Sequence, residues 1–398
     1  MTSELLLVTP CDPGNCHIYF GVQLRALPTA LALASKLRRT LVLPPFEWYD
    51  DQAQQFANAF RATASGRLPH FTPWSSLFDI EALRSAGANV IDLADAFTAM
   101  QTIDRAILQT GNVLPRGKEL AQDDVQAAEV YDPLKGVMAS NPCRAGRDGL
   151  QANLTWVDTH KAMGASELYG QSFAFRHPLR CGTISLTDDT NVLALDEWLA
   201  GVRVAAVFNV GHHLHTKVNA PQSRALIEHS LHPNPSLDKE AERFVAERIA
   251  PQEFVAVHWR HGDYVAYKLL TPLETLVQRV IQLLRKIECR TDEDEDGASL
   301  ASCQVFLMTN CRNSSALEEF RAAMPPATNV VRYEPTQPFH RTEGGRLVIE
   351  QAIAARAHAF LPSQRSAVSE YVETLRRQRQ RAAAKLRSGP AQGGKAEL

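Results

Sequence analysis

The most constraining feature of this chain lies at its start. ELLLV (4–8) is an apolar run closed by Thr9-Pro10, and the Gly/Pro/Asn-rich stretch CDPGNCHIYFG follows it. PTALALASKLR (28–38) then places Leu31, Ala34 and Leu37 at helical spacing, and TLVLPPF (40–46) is a second apolar run stopped at Pro44-Pro45. Strand, loop, helix, strand is a βαβ unit. Such a unit commits the chain to a parallel sheet, because only a crossover returns a strand alongside the first in the same direction. Pro28 suits the first turn of the helix.

A second βα series begins past residue 250. FVAVHWR (254–260), CQVFLMTN (303–310) and NVVRYEP (329–335) read as strands, and PLETLVQRVIQLLRKIE (272–288) and SSALEEFRAAM (314–324) as helices. RLVIEQAIAARAHAFLP gives a helix and a short strand, and SAVSEYVETLRRQRQRAAAKLR a helix with a basic end. Between the two series, 81–89 is amphipathic, NVIDL and RVAAVFNV (203–210) are strand-like, and 110–118, 140–149 and 181–191 read as turn-rich loops. SLDKEAERFVAERIA is helical, with Ser236 as a candidate N-cap and Glu240 nearby. The economical reading is two α/β halves with a cleft between them, residues 1–225 and 226–387, then a small polar mobile tail at 388–398.

Composition narrows the function classes. With 398 residues, 45% hydrophobic and 22% charged, the chain is an ordinary globular protein long enough to bury a large core without staples. Lys+Arg 42 against Asp+Glu 44 gives a formal net charge of −2, which argues against a broad nucleic-acid surface. No apolar stretch reaches the ~18 residues of a membrane span. The seven cysteines are scattered, with no CxxC pair and no HExxH, so neither a disulfide framework nor a structural zinc site is expected. Cys289 and Cys303 flank the acidic loop RTDEDEDGASLAS, either as a loop-closing disulfide or, the preferred reading, as two unrelated thiols.

Three segments carry chemistry. In VAVHWRHGDYV (255–265) a β-branched strand ends in His258, Arg260, His261 and Asp263. Open parallel sheets bind ligands at that end of their strands. Alternation puts His258 and Arg260 on one face, Trp259 and His261 on the other. Arg260 can fork onto phosphate oxygens, and Gly262 lets backbone approach a ligand. The first βα loop carries Gly14 and Gly21 ahead of a helix N-terminus, an anion-binding arrangement, but neither GxGxxG nor GxxxxGK[ST] is present. Near the end, Glu350 is followed by FLPSQRSAVSEYV (360–372), in which Ser363, Ser366 and Ser369 stand before and within the start of a helix. Their hydroxyls and the free amides there suit a diphosphate, although N-capping alone accounts for at least one of them.

Together these motifs resemble the GDP-fucose protein O-fucosyltransferases and, more broadly, the fucosyltransferase superfamily. FGVQLRALPTALALASKLRRTLVLPPF (20–46) is similar to the family's "FGNQ" loop, helix and "LPPW" strand. VAVHWRHGDY is similar to its "HLR" strand and to the "HxRRGDY" form of the α1,2 branch. VFLMTNCRNSSALEEF and VIEQAIAARAHAFLPSQRSAVSEYV are similar to its "ATN" strand and its closing "D…AD.FIG…SSFS" segment. The resemblance implies an α/β, GT-B-like fold of two Rossmann-like domains, the first on the acceptor side and the second binding GDP-fucose. It implies that Arg260 holds the β-phosphate and that His258, Asp263, Glu350, Ser366 and Ser369 line the donor site. Gly21 and Gln23 would belong to the loop facing sugar and acceptor. No metal or other cofactor is implied, and the partners are GDP-fucose and an acceptor protein or glycan.

Departures from the pattern are Val22 for the Asn of "FGNQ", Ala367 and Val368 for Ser and Phe in the closing motif, and Pro362 for Gly. The glutamate base of one family branch has no counterpart, and spacing nominates Asp12 as the catalytic base. Two rivals remain. Arg260-His261-Gly262 is the RHG of histidine phosphatases, but that chemistry needs a second histidine with a nearby acid, and neither His340 nor His358 fits well. A nucleotide-sugar binder without turnover would explain Val22. On compartment, the KAEL tail (395–398) resembles an ER retrieval signal, and Asn153-Leu-Thr155 and Asn313-Ser-Ser315 are glycosylation sequons. The start shows no signal peptide, so the endoplasmic reticulum lumen and the cytoplasm both stand as expectations.

Overall fold

Short apolar runs dominate the strands of the two larger sheets, and both of those sheets are parallel. The structure, a computed structural model, describes residues 4–8, 20–43, 46–48, 70–92, 105–110, 130–131, 154–155, 172–174, 179–184, 196, 199–200, 204–208, 220–249, 253–266, 268–287, 303–326 and 328–387. The chain divides into two compact units, Met1–Pro235 with Pro335–Arg346, and Ser236–Glu334 with Leu347–Leu398. The second unit is therefore interrupted by a short excursion into the first.

The first unit holds β1 (Leu5–Val8), α1 (Phe20–Lys36), β2 (Thr40–Leu43), β3 (Phe46–Trp48) and β4 (His70–Thr72). There follow α2 (Trp74–Leu77), α3 (Ile80–Ser85), β5 (Val90–Asp92), β6 (Arg105–Thr110), β7 (Val130–Tyr131), β8 (Leu154–Thr155), β9 (Ser172–Ala174), β10 (Leu179–Ile184), β11 (Val204–Phe208) and α4 (Pro221–Ser230). A six-stranded sheet runs β10-β6-β11-β1-β2-β5, with every neighbouring pair parallel. β3 and β4 form an antiparallel pair, and β7, β9 and β8 a small antiparallel sheet.

The βαβ start is present, but its helix begins at Phe20 and carries Pro28 in its interior rather than in its first turn. Leu24, Leu27, Leu31 and Leu33 are all buried. Burial of each is worth ~1.5–3 kcal/mol, which together exceeds the ~3 kcal/mol an interior proline costs. The stretch read as a loop at 181–191 opens with strand β10, whose register on β6 (Leu179↔Arg105 to Ile184↔Thr110) makes LRCGTI an edge strand. Edge strands lack the apolar run that marks a central one.

The second unit holds α5 (Pro235–Arg248, whose first residue closes the first unit), β12 (Phe254–Trp259), α6 (Gly262–Ala266), α7 (Leu273–Lys286), β13 (Cys303–Thr309) and α8 (Ser314–Ala322). After β14 (Thr328–Val331) comes α9 (Pro338–Arg341), within the excursion. α10 (Glu343–Ala355), β15 (Ala359–Leu361) and α11 (Ala367–Arg387) complete it. Its sheet runs β14-β13-β12-β15, all parallel. β12 is buried along its whole length, as a strand covered on both faces must be, which explains its unbroken apolar sequence. One face, with Val255, Val257 and Trp259, packs under Val280 and Leu284 of α7 and Phe320 of α8. On the other, Phe306 meets Phe244 of α5, which meets Tyr333 edge-on. At Gly344 a Cβ would lie 3.1 Å from the Leu77 side chain, so glycine lets the excursion approach the fully buried Leu77. Among the described residues, no helix is long and apolar enough to cross a membrane.

Candidate active site

The C-terminal end of β12 is held by side chains from two neighbouring loops. A strand end ordinarily leaves amides and carbonyls without ladder partners. Here each is taken up in turn. The His258 carbonyl accepts from Ser363 Oγ at 2.6 Å, and the Trp259 carbonyl accepts from Thr309 Oγ1. The Arg260 amide donates to Ser363 Oγ at 2.9 Å, and the His261 amide to Asn310 Oδ1 at 2.7 Å. Thr309 Oγ1 also accepts from the Cys311 amide at 3.0 Å. Gly262 fits this arrangement because a Cβ there would stand 2.7 Å from Asn310 Nδ2.

The loop after β15 is pinned to the same strand end. The Ser363 amide donates to Ser369 Oγ at 3.0 Å, and Ser369 Oγ shares a 2.7 Å hydrogen bond with His258 Nδ1. Tyr264 donates its hydroxyl to the Gln364 carbonyl at 2.6 Å, while its ring lies under the Arg260 guanidinium, 4.7 Å from Cζ to the ring centroid. That stacking favours a guanidinium held in place. Arg365 sits in the left-handed region, φ 54°, which turns the loop towards the start of α11.

His258 is buried, and its pKa is pushed down to about 3, by burial first and by the Arg260 charge second. It is therefore a neutral ring at physiological pH. Ser366, at the N-terminus of the 21-residue α11, is 1% exposed, and its Oγ has no hydrogen-bond partner among the described residues. Glu350 is buried on α10, close enough for its charge to help raise the Tyr333 pKa, although burial of Tyr333 and the Glu240 carboxylate do more. Tyr333 donates to Glu240 Oε1 at 3.1 Å, and Arg243 clasps the same carboxylate.

The structure thus brings His258, Arg260 and Ser369 to one strand end and puts Ser366 and Glu350 in the same unit. It alters the reading of two of them. His258 and Ser369 face inward and bond each other. The strand alternation holds, with Trp259 stacked on Phe320 and edge-on to His261. Asp263 lies in the short α6. Gly21 and Gln23 belong to the first turns of α1 and not to a loop, and Gly21 is buried in the first unit. Asp12, the Cys289–Cys303 question, Asn153 and the tail lie outside the described residues. Sequence reasoning missed Thr309, Asn310, Tyr264 and the double role of Ser363. The TN at the end of β13 was the available signal for the first two.

Of the two histidines named for the RHG reading, His358 lies away from His261. His340 is buried in the excursion that packs with the first unit. His358 is paired with Glu253 at 3.2 Å, at the opposite end of β12 from His261. No group of three His, Cys, Asp or Glu suited to a metal gathers among the described residues.

Residues 19–379 match the family described as GDP-fucose protein O-fucosyltransferase. The chain belongs to that family. It is accordingly a GDP-fucose-dependent fucosyltransferase. Among solved structures, POFUT1 crystallised with GDP-fucose superposes with a TM-score of 0.56 at 17% identity, covering 94% of each chain. POFUT1 crystallised with GDP gives 0.57 at 16%, over 94% of this chain and 95% of that one. At such identity these two establish the fold, an α/β, GT-B-like arrangement. No curated protein sequence matches the chain.

Proposed function

We propose that the protein transfers fucose, with inversion, from GDP-fucose to a serine or threonine hydroxyl of an acceptor protein. The observation that carries the reading is the Arg260 backbone, fixed by the Ser363 hydroxyl just beyond the end of the buried parallel strand β12. In the transfer, the bond from the anomeric carbon to the β-phosphate oxygen breaks and a bond from that carbon to the acceptor oxygen forms. The acceptor's proton passes to a carboxylate, for which Asp12 is the candidate. Negative charge grows on departing GDP, and Arg260 neutralises it from a position set in advance. Ser366 Oγ and the first amides of α11 offer further donors to the diphosphate. His258 and Ser369 serve by holding the loop. An arginine in this role takes the place of a divalent cation, so the reaction proceeds without metal.

The test is GDP release from GDP-fucose, with and without EDTA, for wild type and Arg260→Ala. Turnover is expected to survive EDTA and to fall by ~100-fold in the variant, the typical loss for one preorganised donor. No turnover together with no binding of GDP or GDP-fucose would overturn the reading. Binding without turnover would favour a non-catalytic binder and make Val22→Asn the next experiment.

A further inference from the structure

We infer that Ser363 is a positioning residue for this reaction, setting the direction in which Arg260 meets the β-phosphate. The inference rests on the donor-binding role of Arg260 proposed above. Ser363 is half-buried, and its single hydroxyl does two things at once, accepting from the Arg260 amide and donating to the His258 carbonyl. These are the two backbone groups that bracket the last peptide units of β12. One oxygen thus fixes the turn at which the strand stops and the arginine begins. The Ser363 backbone is itself fixed, because its amide donates to Ser369 Oγ. Ser369 is anchored by α11 and by the His258 ring.

The circuit closes on the other side. Tyr264, four residues after Arg260, supports the guanidinium with its ring and holds the next loop residue, Gln364, with its hydroxyl. Loop and arginine are therefore registered to each other at both ends, through Ser363 at the backbone and through Tyr264 at the side chain. The sequence gives no reason to separate Ser363 from its neighbours, since it reads as one of several small polar residues before a helix. The geometry separates it. Ser366 Oγ has no partner among the described residues at the helix start, whereas the Ser363 oxygen both donates and accepts within the protein and acts through the arginine.

The discriminating measurement is the preference for GDP over GMP, because only GDP carries the β-phosphate. Dissociation constants for both nucleotides are measured by calorimetry for wild type, Ser363→Ala, Ser363→Thr, Arg260→Ala and the Ser363→Ala/Arg260→Ala double variant. Ser363→Ala is expected to cut the GDP-over-GMP preference by ~10-fold, the scale of one charge-assisted hydrogen bond set out of line, with GMP affinity unchanged. Ser363→Thr keeps the hydroxyl and is expected to retain most of the preference. In the Arg260→Ala background the serine change is expected to have no further effect on the preference. A merely structural role would weaken GMP and GDP alike, or add to the arginine change, and either result overturns the inference. A wild-type preference in Ser363→Ala with a collapsed one in Arg260→Ala would overturn it while leaving the arginine's role intact. An unchanged preference in Arg260→Ala would overturn both. Melting temperatures of the same samples identify a variant that has lost its fold, in which case Ser363→Cys, isosteric but a weak hydrogen-bonding group, replaces the alanine.

Discussion

The two parallel sheets of this protein employ buried polar residues in different ways. In the first unit Arg39, Asp92 and Thr40 each tie down a different piece of chain. The Arg39 guanidinium, 2% exposed, donates to the Leu199 carbonyl at 3.1 Å and pairs with Glu4 at 3.1 Å. Asp92 accepts from the Trp74 and Ser75 amides at 3.2 and 3.0 Å, capping α2. Thr40 bonds Asn89 beside the strand that follows. In the second unit Ser363, Ser369, Thr309 and Asn310 converge on four consecutive residues, His258 to His261. Both units bond buried polar side chains, so a hydrogen-bonded polar group alone does not mark a site. Convergence on one strand end does, because it fixes a backbone that sheet pairing would otherwise leave loose.

The sharpest way to break this contrast is to remove one arginine from each unit. Arg260→Ala is expected to slow GDP release ~100-fold with little change in stability. Arg39→Ala is expected to lower stability by ~1–3 kcal/mol, since it strands the Leu199 carbonyl, while GDP affinity stays within twofold. Urea titration and calorimetry on the two variants measure both quantities. If Arg39→Ala also abolished GDP binding, the distinction between the sheets would fail.

Asp92→Ala gives a smaller effect of the same structural kind. Two amides at the start of α2 lose their acceptor, and ~1–2 kcal/mol of stability is expected to go with it, read as a lower urea midpoint at unchanged slope. Mild acid sharpens the comparison from the other side. The folded pKa of His258, near 3, lies below the ordinary 6.5. The contribution of the neutral ring to stability is therefore whole above pH 6.5 and declines as pH falls from there towards 3. Urea midpoints at pH 7 and pH 5 are expected to drop for wild type and to drop less for His258→Gln. An equal drop would assign the acid sensitivity elsewhere. The smallest effect is expected from EDTA, which should leave GDP release within experimental error of the untreated enzyme.

Much of this was legible in the sequence. β1, β2, β5, β11 and β12 are short apolar runs, and in β1, β2, β5 and β12 the burial that makes them strands is written in Leu and Val. Arg260 was visible because a charged residue directly after such a run has to sit at the strand's end. Less was legible where two signals compete. Pro28 reads as a helix start by local preference, but the leucines around it are buried and the helix runs through it. The LRCGTI strand hides because an edge strand needs no continuous apolar sequence. The inward turn of His258 and Ser369 was not legible at all, since it depends on two segments 111 positions apart meeting side chain to side chain.

The short excursion of Pro335–Arg346 into the first unit bears on how the molecule is made. Ribosomes deliver the chain from its amino end, and domains commonly mature in that order. Here the last piece of the first unit emerges only after β12, β13 and β14 of the second. The amino-terminal half must therefore wait, incomplete at the Gly344–Leu77 approach, until most of its successor has left the exit tunnel. Translation that stops anywhere between residues 236 and 334 spoils two folding units with a single cut. Expressing residues 1–235 alone, with and without a separate peptide spanning 335–346, would show how much the first unit owes to its late-arriving segment.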